Sequence, residues 1–415
     1  MTFGQLCKQE VDSLKNKELY KDTEVGRIPV DWEVRRLGEV VQNARLGGNY
    51  PNGEIETEYP LIKMGNIDRG IIDLSKIEYV LEGNVPSEND KLCYGDVLFN
   101  TRNTPELVGK VAIWRNELPR AYYNSNLLKL EFKPVYVGSN FFMNYILNSE
   151  YVLSQLKGLA TGTTSVAAIY TRDLYKVKLF LPPLPEQKAI AKVLSDIDEL
   201  IESIEKLIHK KKQIKQGAMQ ELLTGKKRLP GFSGKWEVKR LGEVATITMG
   251  QSPLSIYYNT KSEGLPLIQG NADLVNRKTV QRVFTKQITK KCFDGDIIMT
   301  VRAPVGKVGK ATFDACIGRG VCAISYSNDY LYYYLMNIEE HWEKLSRGTT
   351  FDAVNSSDIK ELPIPLPPLP EQKAIAQILS DMDAEIEALE KKLDKYRKIK
   401  EGMMEKLLTG QVRLV

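Results

Sequence analysis

Histidine is nearly missing from this chain: His209 and His341 are the only two in 415 residues. Neither has a cysteine or carboxylate companion at metal-ligand spacing, and His209 sits in a lysine-rich stretch, so zinc chemistry and histidine acid–base catalysis have no visible machinery. Cysteine is almost as sparse. Cys7, Cys93, Cys292, Cys316 and Cys322 are odd in number and lack a CxxC pair, which argues against a disulfide framework and against a bound metal. No apolar run approaches the ~20 residues of a membrane span, so no membrane partner is expected. The opening MTFGQLCKQE is too polar for a secretory signal, and a reducing cytoplasm is the expected location. Phosphate-binding glycine loops are missing as well: in APVGKVGKAT (303–312) the last Gly-Lys is followed by alanine where a P-loop needs Ser or Thr. The Asn/Asp-Pro-Pro-aromatic string of amino-methyltransferases is also lacking. The chain is therefore expected not to be an enzyme, with any modification or cutting left to partner chains.

What is present is ordinary in composition and unusual in arrangement. A hydrophobic fraction of 42% and a charged fraction of 27% belong to a globular protein, and the length allows two or three domains. With 58 Lys+Arg against 53 Asp+Glu the net charge is only +5, so any basic surface must be local.

The chain is written twice. WEVRRLGEV (32–40) returns as WEVKRLGEV (236–244), and GDVLFNTR (95–102) as GDIIMTVR (295–302). LPPLPEQKAIAKVLSDID (181–198) is nearly identical to LPPLPEQKAIAQILSDMD (366–383), and ELLTG (221–225) to KLLTG (406–410), both at an offset of 185. Each half is thus a variable unit followed by a length-locked segment. Even divergence would suit the duplication of a plain domain; uneven divergence suits a constant scaffold carrying two different readers.

After LPPLP the locked segments run for several turns without Gly or Pro, which predicts long helices. Ile190, Val193, Ile197, Leu200, Ile204, Leu207 and Ile214 take a and d positions in the first, with Leu194, Ile201 and Ile208 beside them. In the second these are Ile375, Ile378, Met382, Leu389, Tyr396 and Ile399, with Ile386 and Leu393 alongside; Lys211, Glu385 and Lys392 interrupt the seams. The expected helix-helix contacts are Ile190, Ile197, Ile204, Ile375, Met382 and Leu389. The first helix leads from unit one to unit two and the second begins at unit two, so connectivity predicts an antiparallel pair; the other reading is that each stripe covers its own domain. Gly225 and Gly410 suit C-terminal caps.

Runs such as VLFNTR, VAIW and LLKLEF read as short strands, giving two strand-rich α/β units, a pseudo-two-fold repeat, joined by an antiparallel coiled coil. Their loops supply candidate nucleic-acid contacts. Asn49 and Tyr50 in GNYP (48–51) face Gln251 and Ser252 in GQSP (250–253), and Asn66 in MGNID (64–68) faces Asn271 in QGNAD (269–273). GTT recurs, presenting Thr163 and Thr164, then Thr349 and Thr350. The shared cations Arg102/Arg302 and Lys110/Lys310 suit phosphates, since both halves keep them. Where the halves differ, base reading is the better assignment: Asn124 and Asn126 in AYYNSN suit adenine, and Arg319 in ACIGRG suits guanine. Plain turns and strand-edge charges are the alternatives at each of these positions.

Two variable units, each closed by LPPLPEQ, a long helix and LLTG, and entered through GRIPVDWEVRRLGEV, resemble the specificity subunit of Type I restriction-modification systems along nearly the whole chain. The resemblance implies target recognition domains at 26–180 and 230–362 and conserved spacer helices at 181–229 and 363–415. An N-terminal segment, 1–25, is expected to pack near the end of the second helix. It further implies a non-catalytic chain that binds double-stranded DNA at a bipartite site, one half per domain, and docks two methyltransferase subunits. Adenine methylation would use S-adenosylmethionine held by those partners, and restriction subunits would bring ATP and Mg. The family's repeated four-residue spacer motif is present here as a single ELLTG or KLLTG copy. The rivals are a coiled-coil adaptor without DNA readout and a self-contained modifying and cutting enzyme, whose motifs are missing.

Overall fold

A computed structural model describes residues 19–24, 26–162, 166–340, 342 and 354–414. The chain divides into two compact units, residues 1–203 with 393–415, and residues 204–392.

In unit 1, β1 (Val41–Leu46), β2 (Val97–Asn100), β3 (Val111–Ile113) and β4 (Leu127–Phe132) form an antiparallel sheet in the order β3-β2-β4-β1. Every residue of β2 and β3 is buried, because both faces are covered. Strand alternation sends Val97 and Phe99 into a core with Phe142 and Ile146 of helix α1 (Asn140–Leu147), while Leu98 joins a second core with Ile62 and Trp114. Ser139 caps α1 by accepting from the Phe142 amide. The long helix α2 (Leu184–Leu222) starts in this unit and ends in the other.

Unit 2 repeats the plan. β5 (Thr246–Met249), β6 (Ile297–Thr300), β7 (Val308–Lys310) and β8 (Val321–Ser325) lie in the order β5-β8-β6-β7, matching β1-β4-β2-β3, with two short strands added beyond β7. Helix α3 (Tyr330–Asn337) follows β8 as α1 follows β4. A parallel pair also recurs, Leu61–Ile62 beside Tyr122–Tyr123 and Leu267–Ile268 beside Cys316–Ile317. Helix α4 (Leu369–Leu407) closes the chain, and like α2 it holds 39 residues. Among the described residues no helix is long and apolar enough to cross a membrane.

Where α2 and α4 meet, they run antiparallel. In unit 1 Asp198 meets Lys400 at 2.6 Å, and Glu186 near the start of α2 meets Arg413 beyond the end of α4 at 2.7 Å. In unit 2 Lys211 meets Glu385 and Lys215 meets Asp383. Ile190, Ile197, Ile204 and Ile375 are buried, and Met382 and Leu389 are half-buried.

The seam nevertheless differs from the expected one at several positions. Leu200, Leu207 and Ile214 are exposed, whereas Leu194 and Ile208 are buried; in α4 Ile399 is exposed while Ile386 and Leu393 are buried. A row of covered positions in α2, Leu194, Ile197, Ile201, Ile204, Ile208, Lys211, Lys215, Ala218 and Leu222, steps by three and four. Glu385 and Lys392 therefore flank the seam instead of interrupting it. The apolar stripe is wide enough to admit both frames, and a polar anchor selects one. Asp198 accepts from Tyr145 Oη at 2.7 Å and from Lys400; Asp383 accepts from Tyr333 Oη at 3.0 Å and from Lys215. Each lysine lies over its tyrosine ring, at 6.0 Å and 5.3 Å from the centroid.

A second anchor is also written twice. The Glu186 carboxylate, fully buried, accepts from Arg413 Nε and Nη2 and from Trp32 Nε1; Glu371, fully buried, accepts from Arg228 Nε and Nη2 and from Trp236 Nε1. The neighbouring Gln187 donates to the Tyr136 and Pro182 carbonyls and accepts from the Gly138 amide. The Glu-Gln of each PLPEQ thus locks a helix start onto its globular unit.

Gly225 and Gly410 have φ of 70° and 72°, and the amides of Lys227 and Val412 close over them onto Glu221 and Lys406. A Cβ at Gly410 would lie 2.5 Å from Pro29, whereas at Gly225 it would meet the Trp236 ring at 3.4 Å, an ordinary contact. Both alanine variants carry left-handed strain of about 1–2 kcal/mol. Gly410→Ala should lose more stability than Gly225→Ala in urea unfolding, and equal losses would show that the Pro29 contact relaxes freely.

Candidate nucleic-acid interface

A polar concavity lies in unit 2, about 240 Å³ in volume and lined by Ser252, Gln269, Asn271, Arg302 and Arg319 together with small residues. Three loops and a strand end build it. The GQSP loop follows β5, Gln269 and Asn271 follow Ile268, Arg302 lies just past β6, and Arg319 sits in the turn before β8. These backbones touch, which explains the glycines. A Cβ on Gly250 would fall 2.1 Å from the Gly318 carbonyl oxygen, and one on Gly320 would fall 2.0 Å from that of Gln269. Ser252 Oγ accepts from the Arg319 amide at 3.1 Å, and Asp273 fixes the next loop by accepting from the Gln269 amide at 2.7 Å.

The side chains left facing solvent are those that recognition of a nucleic acid needs. Arg302, Arg319 and Asn271 are exposed, and neither guanidinium makes an ion pair among the described residues. A guanidinium can grip a phosphate or the O6/N7 edge of guanine with two hydrogen bonds, and the amides of Gln269 and Asn271 can address adenine. Gln269 was absent from the candidates read from sequence, although QGNAD begins with it. Gln251 is exposed beside the concavity, and its carbonyl accepts from Thr289 Oγ1. Lys310 is elsewhere: it pairs with Asp329 at 2.6 Å and lies over the Tyr332 ring.

The unit 1 candidates divide in the same way. Arg102 follows β2 as Arg302 follows β6; it is exposed and has no ion pair among the described residues, and Asn49 is exposed as well. Asn124 is buried and accepts from the Asn126 amide at 3.2 Å, so it shapes the turn that presents Asn126. Others are turned inward. Tyr50 donates to Asp90 and accepts from the Ser87 amide, and burial together with Asp90 pushes its hydroxyl pKa up. Asn66 is buried and both its amide hydrogens go to carbonyls of its own loop, those of Asp73 and Lys76. Lys110 pairs with Asp68 at 3.0 Å, and that contact holds the Asp68 carboxyl below its usual range. Thr163, Thr164, Thr349 and Thr350 lie outside the described residues.

The duplicated plan has known counterparts. A family described as Type I restriction modification DNA specificity domain matches twice, over residues 29–216 and 233–396. A chain of Methanocaldococcus jannaschii assigned as the type I restriction enzyme MjaX specificity subunit is 36% identical over 96% of this chain and 97% of that one. Among solved structures, a chain from a study of assembly and conformational transition of the type I R-M system is 25% identical, with a TM-score of 0.56 over 93% of this chain and 99% of that one. The Type-I restriction-modification S subunit of M. genitalium shares the fold, with a TM-score of 0.63 at 16% identity over 91% of this chain and 96% of that one. Since both halves of the chain match the same domain, and the match extends end to end in a relative, the chain belongs to the Type I restriction-modification DNA specificity family.

Proposed function

We propose that this chain is the DNA-reading subunit of a Type I restriction-modification complex, recognising a bipartite duplex with one half-site per globular unit. The observation that carries this reading is the contrast between constant and variable parts. Sheet order, helix anchors and locks are repeated, while the loops at matching places present different chemistry: Arg319 in ACIGRG against Asn124 and Asn126 in AYYNSN, and Gln269 in QGNAD against Met64 in MGNID. A plain adaptor would have no use for that difference.

In this reading residues 26–180 and 230–362 are the recognition domains, 181–229 and 363–415 are the spacer helices, and 1–25 pack near the end of α4. Arg102 and Arg302 hold phosphates, and Lys110 and Lys310 join them once their acidic partners release. Arg319, Asn271, Gln269, Gln251 and Ser252 address bases in one half, Asn49, Asn124 and Asn126 in the other. Tyr50 and Asn66 shape the loops that carry these groups, and the GTT threonines touch the backbone. The chain is non-catalytic and works in the cytoplasm. Two methyltransferase subunits bring S-adenosylmethionine to adenine, and restriction subunits bring ATP and Mg.

The test is methylated-motif mapping with the subunit assembled on its methyltransferase, alongside binding measured against salt. Arg302→Gln should weaken binding on every sequence and flatten the salt slope by roughly one unit. Arg319→Ala should relax one position in one half-site, at a cost of about 1–3 kcal/mol. A changed base preference from Arg302→Gln, or changes in both half-sites from Arg319→Ala, would overturn these roles.

A further inference from the structure

The small sheet beside the concavity is built alike in both units, and the likeness reveals an insertion in one of them. In unit 1 Asn52–Gly53 pairs antiparallel with Tyr79–Val80, and Tyr79 pairs in turn with Pro60. In unit 2 Tyr258–Asn259 holds the same place beside Phe284–Thr285, and Phe284 pairs in turn with Pro266. Each edge strand follows the proline of its entrance loop, Pro51 of GNYP or Pro253 of GQSP. Unit 1 passes from Pro51 directly into the strand, whereas unit 2 sets Leu254, Ser255, Ile256 and Tyr257 in between. The sheet of unit 1 closes without such residues, so the fold itself does not call for them.

The insertion is mostly apolar and it faces water. Leu254 is 60% exposed and Ile256 78%, and Ile288 on the neighbouring segment is 45% exposed. Their backbone is held in place. The Leu254 amide donates to Gln287 Oε1 at 2.7 Å, the Tyr257 amide donates to the Leu254 carbonyl at 3.0 Å, and Pro253 is buried. Thr289 Oγ1 donates to the Gln251 carbonyl, which ties the segment carrying Ile288 to the loop whose Ser252 lines the concavity. A single exposed apolar side chain is ordinary; three on two segments bonded together at a recognition site form an edge that needs a use. Lys290 and Lys291 are exposed just beyond Ile288, and positive charge bordering the edge suits a nucleic acid.

We propose that Leu254 and Ile256, with Ile288 beside them, read thymine in the half-site of unit 2 by packing on its C5 methyl group. That methyl is the apolar feature of base edges in the major groove, the groove in which Arg319 would take guanine and Gln269 adenine. The polar concavity and the apolar edge next to it thus cover different base chemistry. The inference deepens the DNA-reading role proposed above and rests on it.

Uracil pairs as thymine does but lacks the methyl, so replacing each thymine of the mapped motif by uracil, one at a time, isolates the contact. Binding is measured with the full chain assembled on its methyltransferase. At one or two thymines of a single half-site the replacement should weaken binding about fourfold, the worth of one buried methyl group. In the double variant Leu254→Ser, Ile256→Ser, whose changed side chains are exposed, the same replacement should cost less than about 1.5-fold, because the methyl has lost its apolar contact. Uracil that is neutral at every position, with the motif still preferred over a scrambled duplex, would overturn the thymine contact and leave the DNA-reading role standing. A uracil penalty undiminished in the double variant would overturn it as well. Loss of methyltransferase assembly in that variant, with the uracil penalty retained, would show instead that the edge docks a protein. If the unaltered chain does not prefer the motif over the scrambled duplex, the DNA-reading role and this contact fall together.

Discussion

Replacing Arg413 by methionine destabilises unit 1 by about 2–4 kcal/mol, because it leaves the Glu186 carboxylate buried without its cation. The lower part of the usual range for a broken buried pair applies, since Arg413 itself remains about a quarter exposed and partly screened. Glu186→Gln in the same chain should restore more than half of the loss, because an amide can still accept from Trp32 and carries no charge. Hydrogen exchange scores the two units separately: amides of 393–412 should lose protection, and those of 213–222 should keep it. Additive losses in the double variant would mean that the pair acts independently and that the lock is only close packing. Asp31 also leans on Arg413, which holds its carboxyl below the usual range. That contribution is present above the unfolded carboxyl pKa and fades as pH falls through the folded one.

Adding seven residues to each long helix at matched points, after Ser203 and after Lys392, should lengthen the recognised spacer by about two to three base pairs and leave both half-sites unchanged. Seven residues add ~10.5 Å of helix, against ~3.4 Å per base pair, and a whole heptad keeps the three-four step of the seam. The same insertion in α2 alone should abolish specific methylation, because Lys215 would move away from Asp383 and Met219 and Leu222 would leave the unit 2 core. Motif mapping of the two variants decides. An unchanged spacer with full methylation in the double insertion would show that the helices do not set the distance.

The repeat carried most of what the sequence could tell. Matching strings at fixed offsets pointed to the paired units and to two long helices, and the connection between them implied the antiparallel course. The seam was half legible. Ile197 and Ile204 serve either helical frame, and the choice between Leu200 and Ile201 falls to the Tyr145–Asp198–Lys400 contact, which joins residues far apart in the chain. The Glu–Arg–Trp locks were missed for a similar reason, although their signal was present: the offset of 185 continues past LLTG to Arg228-Leu229 and Arg413-Leu414. Candidate contacts fared according to whether an acid waited nearby. Arg102 and Arg302 stay open, whereas Lys110 and Lys310, equally basic in sequence, are drawn to Asp68 and Asp329.

The lock of unit 1 also sets an order of events during synthesis. Unit 2 is one continuous stretch, and Arg228 and Glu371 both emerge within it. Trp32 and Glu186 must wait for Arg413, made 227 residues after the glutamate. At a ribosomal rate of ~5–20 residues per second that wait lasts roughly 11–45 s. The half encoded second is therefore the first that can close, and the half encoded first stays open at the start of α2 until Arg413 has been made.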